Sequence, residues 1–135
     1  MPQFSVRPVG VVRKGRRGIR IEIEKEFQDA LLGLGGFSHI LVLYWFHEND
    51  DPGTRRTLQV HPRKDASNPL TGVFATHSPA RPNLIGVTRC RVLDITDGTI
   101  RVDEIDAFDG SPVIDIKCYI PDAEPPADVR LPDWV

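Results

Sequence analysis

The sequence predicts a mainly β fold: a small single-domain β-barrel with one short inserted helix, and not a Rossmann sheet. Three observations carry this. Seven or eight short segments rich in β-branched and aromatic residues recur along the chain, separated by turn residues. Only one segment has a helical period. No GxGxxG or Walker loop joins a strand to a helix, so the usual dinucleotide and nucleoside-triphosphate cradles are absent.

The elements follow in order. Val6 to Val12 reads as a strand ended by a Gly15 to Gly18 loop. Ile19, Ile21 and Ile23 alternate with Arg20, Glu22 and Glu24, the period of a half-buried strand. Phe27, Ala30, Leu31 and Leu34 share one face of a short helix from about Glu26 to Leu34, ended by Gly33, Gly35 and Gly36. Phe37 to Phe46 is almost wholly apolar and predicts a central strand buried on both faces. Pro52-Gly53 predicts a turn, Thr57 to His61 a strand, and Val73 to Thr76 a short extended piece. Val87 to Ile95 and Thr99 to Asp103 flank Asp97-Gly98, the chemistry of a primed hairpin turn. Val113 to Tyr119 closes the strands. Residues 1–121 are therefore expected to form the barrel, and 122–135 a Pro-rich, extended or mobile tail.

The composition, 40% apolar and 27% charged over 135 residues, is that of a globular domain. The longest unbroken apolar run, Ile40 to Phe46, falls short of the roughly 18 residues of a membrane-spanning helix. Met1 to Pro8 has no apolar signal-peptide region, so a cytoplasmic location is expected. Cys90 and Cys118 lack CxxC spacing and read as separate core thiols. A net charge of −2 argues against bulk electrostatic binding of nucleic acid. Six basic residues between Arg7 and Arg20, with no acid among them, still leave room for a local basic rim.

The four histidines, His39, His47, His61 and His77, show neither HExxH nor HxH spacing, so no metal is expected. Ser78 and Ser111 lack a hydrolase elbow. The chemistry concentrates between Gly72 and Pro121. Val73 to Gly86 forms a loop stiffened by Pro79 and Pro82 and carrying the polar forks of Arg81 and Asn83. A turn, Asp109-Gly110-Ser111-Pro112, leads into a strand with Asp115 between Ile114 and Ile116. His47 and Glu48 stand where the central strand ends. By residue chemistry alone, scaffold and site are both open for these groups.

The order of these pieces resembles the TsaA-like (TrmO) family. Val9-Gly10-Val11-Val12-Arg13 matches its opening strand, followed by Gly36 to Ile40 and Phe46-His47. Gly72 to Gly86 corresponds to the family pattern GVFATRSPxRPNPIG, and Asp109 to Lys117 with Tyr119-Ile120-Pro121 to DGTPVxDIKPYIP. The resemblance implies a non-Rossmann barrel that binds S-adenosyl-L-methionine, a homodimer with cofactor near the subunit interface, and methyl transfer to N6 of threonylcarbamoyladenosine beside the tRNA anticodon. It implies cofactor contacts at His47, Glu48, His77 and Val87 and along Val113, Ile114, Asp115 and Ile116. On that basis Asp115 or Asp109 is expected to take the N6 proton. Arg81 and Asn83 are expected to hold substrate, with Arg13 and Arg20 on the RNA backbone.

Three positions depart from the pattern: His77 stands where the family has Arg, Leu84 replaces the second Pro of RPNPIG, and Cys118 replaces the Pro of DIKPYIP. An imidazole lacks the bidentate grip of a guanidinium. Larger members also have a C-terminal extension and a longer first loop. A non-catalytic S-adenosylmethionine sensor, or a methyltransferase for another RNA or small molecule, is therefore carried as the alternative.

Overall fold

A computed structural model describes residues 1–135. The strands are β1 (Gly10–Gly15), β2 (Gly18–Ile23), β3 (His39–Trp45), β4 (Gln59–Val60), β5 (Thr71–Gly72), β6 (Ile85–Thr96), β7 (Thr99–Val102) and β8 (Pro112–Cys118). Six of them close into an antiparallel barrel in the order β1-β2-β7-β6-β3-β8, while β4 and β5 form a separate ribbon. The expected mainly β barrel without a Rossmann sheet is the fold observed.

Turn chemistry and alternation explain most of it. Asp97 (φ 52°) and Gly98 (φ 73°) both take the left-handed conformation that a primed hairpin turn needs, and Thr96 pairs with Thr99 across it. In β2, Ile21 and Ile23 turn inward, where they join Val12, Ile40, Val42, Ile100, Val102 and Val113 in the core. Each such side chain, wholly removed from water, contributes roughly 1.5–3 kcal/mol. Two β-bulges help the sheet to curl, one opposite Leu43/Tyr44 and one between Val92 and Asp94.

β3 corrects one expectation. It is central, hydrogen-bonded to β6 and β8, but only its Ile40, Val42 and Tyr44 face is buried. His39, Leu41, Leu43 and Trp45 are half-exposed on the outer face. A barrel wall has only one interior, so a continuous apolar run there must leave alternate residues outside.

The inserted helix also differs. Lys25–Leu31 is a 3-10 helix, and a second short 3-10 turn covers Leu34–Gly36 after Gly33, which is left-handed at φ 85°. The expected apolar face is real, since Phe27, Leu31 and Leu34 pack against the core. So short a segment draws its stability from that packing rather than from α-helical propensity.

The α-helix is instead Pro52–Arg56, where a turn was expected. Asp51 caps it, accepting from the Thr54 N–H at 2.8 Å and its hydroxyl at 2.7 Å, and Pro52 supplies the preset φ of the first turn. Val73–Ala75 is a 3-10 turn rather than extended. The first strand starts at Gly10, later than expected, because pairing with β2 and β8 begins there.

Candidate cofactor cavity

The loop from Val73 to Leu84 is anchored at both ends by buried side chains, Val73 and Leu84. Leu84 thus fills core space, which accounts for an apolar residue where the related pattern has Pro. Between these anchors the loop bonds to itself: the Thr76 hydroxyl accepts from Ser78 N–H at 3.1 Å, and the Ser78 hydroxyl from Ala80 N–H at 3.1 Å. Arg81 Nη1 donates to the carbonyls of Thr76 (3.2 Å) and Ser78 (3.0 Å), so the guanidinium clamps the backbone on both sides of His77. A charged donor makes these bonds stronger than neutral ones.

Beside this loop lies a cavity of about 650 Å³, bounded by β3, β6, the end of β1 and the turn before β8. Tyr44 and Phe46 make its aromatic wall, edge to face with centroids 5.7 Å apart. The Tyr44 hydroxyl donates to the Asp106 carbonyl at 2.6 Å and meets Thr88 Oγ1 at 3.1 Å. Burial holds the Tyr44 hydroxyl above its ordinary pKa, so it is a neutral hydrogen-bonding group. Gly86 faces Tyr44 across the sheet, and a Cβ there would lie 2.6 Å from the Tyr44 ring and 2.8 Å from Phe46. The wall exists because Gly86 has no side chain.

Charges of both signs line the cavity: Glu48 and Asp106 against Lys14, Lys64 and Arg81. Lys14 is fixed there, its Nζ donating to the Ile105 carbonyl at 2.7 Å. The His47 Nδ1 is buried without a hydrogen-bond partner, and its Nε2 lies 3.9 Å from where a Gly110 Cβ would sit. Such a site suits a zwitterionic or cationic molecule with a planar ring. No three His, Cys, Asp or Glu side chains gather as a metal site would require.

The structure brings Glu48, His77, Arg81 and Val87 to the cavity; His47 does not line it but lies in the chain between Phe46 and Glu48, which do. It leaves others outside. Val113 is wholly buried in the core, and Ile116 packs against that core. The bulge at Ile114 flips the phase of β8, so Asp115 pairs with the outward-facing Leu43 and lies exposed, 3.6 Å from Lys117. Asp109 accepts from the Lys14 N–H at 2.8 Å and pins the β1–β2 hairpin to the turn. Asn83 is exposed, its carbonyl bonded to Ile85 N–H. Arg13 and Arg20 sit opposite each other on the outer face, flanking Glu22, and Arg20 is in turn opposite Arg101.

Tyr44, Asp106, Phe108 and Lys14 belong to the cavity but were not among the expected site residues. Tyr44 lay in an apolar run, Lys14 was one of the six basic residues between Arg7 and Arg20, and Asp106 and Phe108 stand in a segment without motif or period.

The sequence model of a family described as tRNA-methyltransferase O N-terminal domain matches residues 8–125. The probable S-adenosyl-L-methionine-binding protein MJ1583 of Methanocaldococcus jannaschii is 44% identical, over 86% of this chain and 92% of that protein. The tRNA (adenine(37)-N6)-methyltransferase of Mus musculus is 38% identical over 84% of this chain, which matches 26% of that protein. The crystal structure of TrmO from Pseudomonas aeruginosa superposes with a TM-score of 0.70 at 32% identity, covering 96% of this chain and 62% of that one. This chain thus spans about three-fifths of the solved TrmO chain. By sequence and by fold, the chain belongs to the family of the tRNA-methyltransferase O N-terminal domain.

Proposed function

We propose that this chain transfers a methyl group from S-adenosyl-L-methionine to N6 of the adenine at tRNA position 37, with the threonylcarbamoyl-modified base as acceptor. The observation that carries the reading is the cavity itself. Its aromatic wall, two carboxylates and fixed cations complement a ligand that combines an adenine, a sulfonium, an ammonium and a carboxylate. Tyr44 and Phe46 would take the adenine; Glu48 and Asp106 would face the positive groups, and Arg81 the carboxylate. Bound S-adenosylmethionine would supply an already activated methyl group.

The chain's own tasks are then positioning and proton removal. As N6 bonds to the methyl carbon and the carbon–sulfur bond breaks, the N6 proton must pass to the protein. Asp109 is spent on Lys14 and Asp115 faces outward. The acceptor role falls to the lining carboxylates, Glu48 and Asp106. Outside the cavity, Arg13, Arg20 and Arg101 stand side by side on three adjacent strands and supply phosphate contacts.

A homodimer fits the outer face of β3 and β6. There the half-buried Leu43 and Trp45 lie opposite Val87 (56% exposed) and Ile85 (40% exposed), an apolar patch at the cavity's edge. A tRNA acceptor and two free thiols suit action in the cytoplasm. A second reading, binding of S-adenosylmethionine without transfer, is favoured by His77 in place of arginine and by the name of the similarly sized M. jannaschii relative.

Calorimetric titration with S-adenosylmethionine, followed by mass spectrometry of nucleosides from tRNA incubated with protein and cofactor, separates the readings. Methylated threonylcarbamoyladenosine is expected, lost in Glu48→Gln or Asp106→Asn. Binding without any methylated nucleoside would favour the sensor.

A further inference from the structure

We propose that a second cleft, next to the cofactor cavity, is the subsite for the acceptor nucleotide, with Trp134 stacking on its base and Arg63 and Lys64 holding the adjoining phosphates. The proposal rests on the methyl-transfer reading above. The cleft has a volume of about 820 Å³ and lies between the chain's last residues, Leu131 to Val135, and the Thr76 to Ala80 loop.

Three features point to a nucleotide. The first is placement. Asn49, Lys64, His77 and Pro79 line both cavities, so they form a common wall. Direct transfer requires donor and acceptor atoms about 3–3.5 Å apart before reaction, so two ligands must occupy adjoining sites.

The second is charge. The first cavity carries both signs, but the second has Arg63, Lys64, His61 and His77 and no Asp or Glu side chain. Asp65, next to Lys64 in the chain, is turned into its own loop, accepting from Ser67 N–H at 2.9 Å and the Ser67 hydroxyl at 2.6 Å. Arg63 (φ 60°) and Lys64 (φ 55°) are consecutive left-handed residues, an unfavourable conformation for long side chains. The turn holds it: His61 Nδ1 bonds the Asn68 carbonyl at 2.9 Å, and Asn68 Nδ2 donates to the Pro62 carbonyl at 2.9 Å. Two exposed cations side by side, neither of them in an ion pair, suit phosphate oxygens.

The third is the indole. Trp134 is the one residue of 122–135 that is not exposed. In a cleft next to phosphate-binding cations, an aromatic face is a platform for a base.

The protein has two tryptophans, so Trp45→Phe leaves Trp134 as sole reporter. In that variant, adenosine 5′-monophosphate and an anticodon stem–loop RNA should each quench the fluorescence, and S-adenosylmethionine alone should not. Trp134→Ala should weaken RNA binding by about ten- to a hundredfold and leave calorimetric affinity for S-adenosylmethionine unchanged, with Trp134→Phe restoring most of it. Arg63→Ser with Lys64→Ser should weaken RNA binding and flatten its salt dependence. Absent quenching together with unaltered RNA binding in Trp134→Ala would overturn the subsite. So would quenching by S-adenosylmethionine with loss of its affinity in Trp134→Ala, which would give the cleft to the cofactor. Failure of the methyl-transfer reading shows separately, as wild-type protein that binds S-adenosylmethionine but methylates no RNA; the monophosphate titration needs neither cofactor nor turnover.

Discussion

Gly86 faces Tyr44 across β6 and β3, and the ring of Tyr44 occupies the space that any Cβ on Gly86 would need, 2.6 Å away. The aromatic wall of the cavity, its bond to the Asp106 carbonyl and the edge-to-face pair with Phe46 all depend on that one absent side chain.

Gly86→Ala should therefore displace Tyr44 and Phe46 together. Overpacking of this kind costs about 1–3 kcal/mol. Chemical denaturation should show a loss of that size, and calorimetry should show S-adenosylmethionine binding reduced out of proportion to it. An unchanged affinity would remove the aromatic wall from the binding site.

Arg81 clamps the carbonyls on both sides of His77. Arg81→Ala should loosen this loop, costing about 1–3 kcal/mol and raising amide exchange across residues 76–80. Arg81→Lys should rescue little, because an ammonium lacks the guanidinium's planar, fork-like set of donors. Exchange rates equal to wild type would show that the prolines alone hold the loop.

The row Arg13, Arg20 and Arg101 is answered by Glu22 and Asp94. Replacing all three arginines with serine should weaken tRNA binding without altering S-adenosylmethionine affinity. The log–log salt slope should flatten by about 0.7–0.9 for every phosphate that is no longer neutralised. Filter-binding titrations across a salt series measure it. An unaltered slope would place the RNA on another face.

The two thiols should behave differently. Cys90 is wholly buried in the core, and burial, with Asp103 nearby, pushes its pKa to about 12. The thiolate is the reactive form, so Cys90 should stay unmodified at neutral pH until the protein unfolds. Cys118 is half-exposed and should be the thiol modified first in the native protein. Mass spectrometry after brief alkylation reads the ratio; equal labelling would mean the barrel opens at β6.

Much of the fold was legible locally. The Asp97-Gly98 turn follows from residue types that tolerate positive φ, and the inward face of β2 follows from the alternation of Ile19, Ile21 and Ile23. The loop from Gly72 to Gly86 marked the region of the cavity through its resemblance to the family pattern, since by residue chemistry alone Pro, Arg and Asn there suit a stiffened connection as well as a site.

Other features depended on neighbours far along the chain. Alternation alone could not tell which way Asp115 faces, since the bulge at Ile114 reverses the phase of β8 where it meets β3. Asp109 became a hairpin anchor only when β1 came beside it. Arg81, read as a substrate contact, lines the cavity and also clamps carbonyls of its own loop. No local signature places Lys14, Asp106, Tyr44 or Trp134 at a cavity, because what they line is made by distant segments brought together. Periodicity and φ/ψ preference are local, so they were enough for most of the barrel strands and for the Asp97-Gly98 turn. Only barrel closure decided which side chains share a cavity, because closure and bulges set which way each one points.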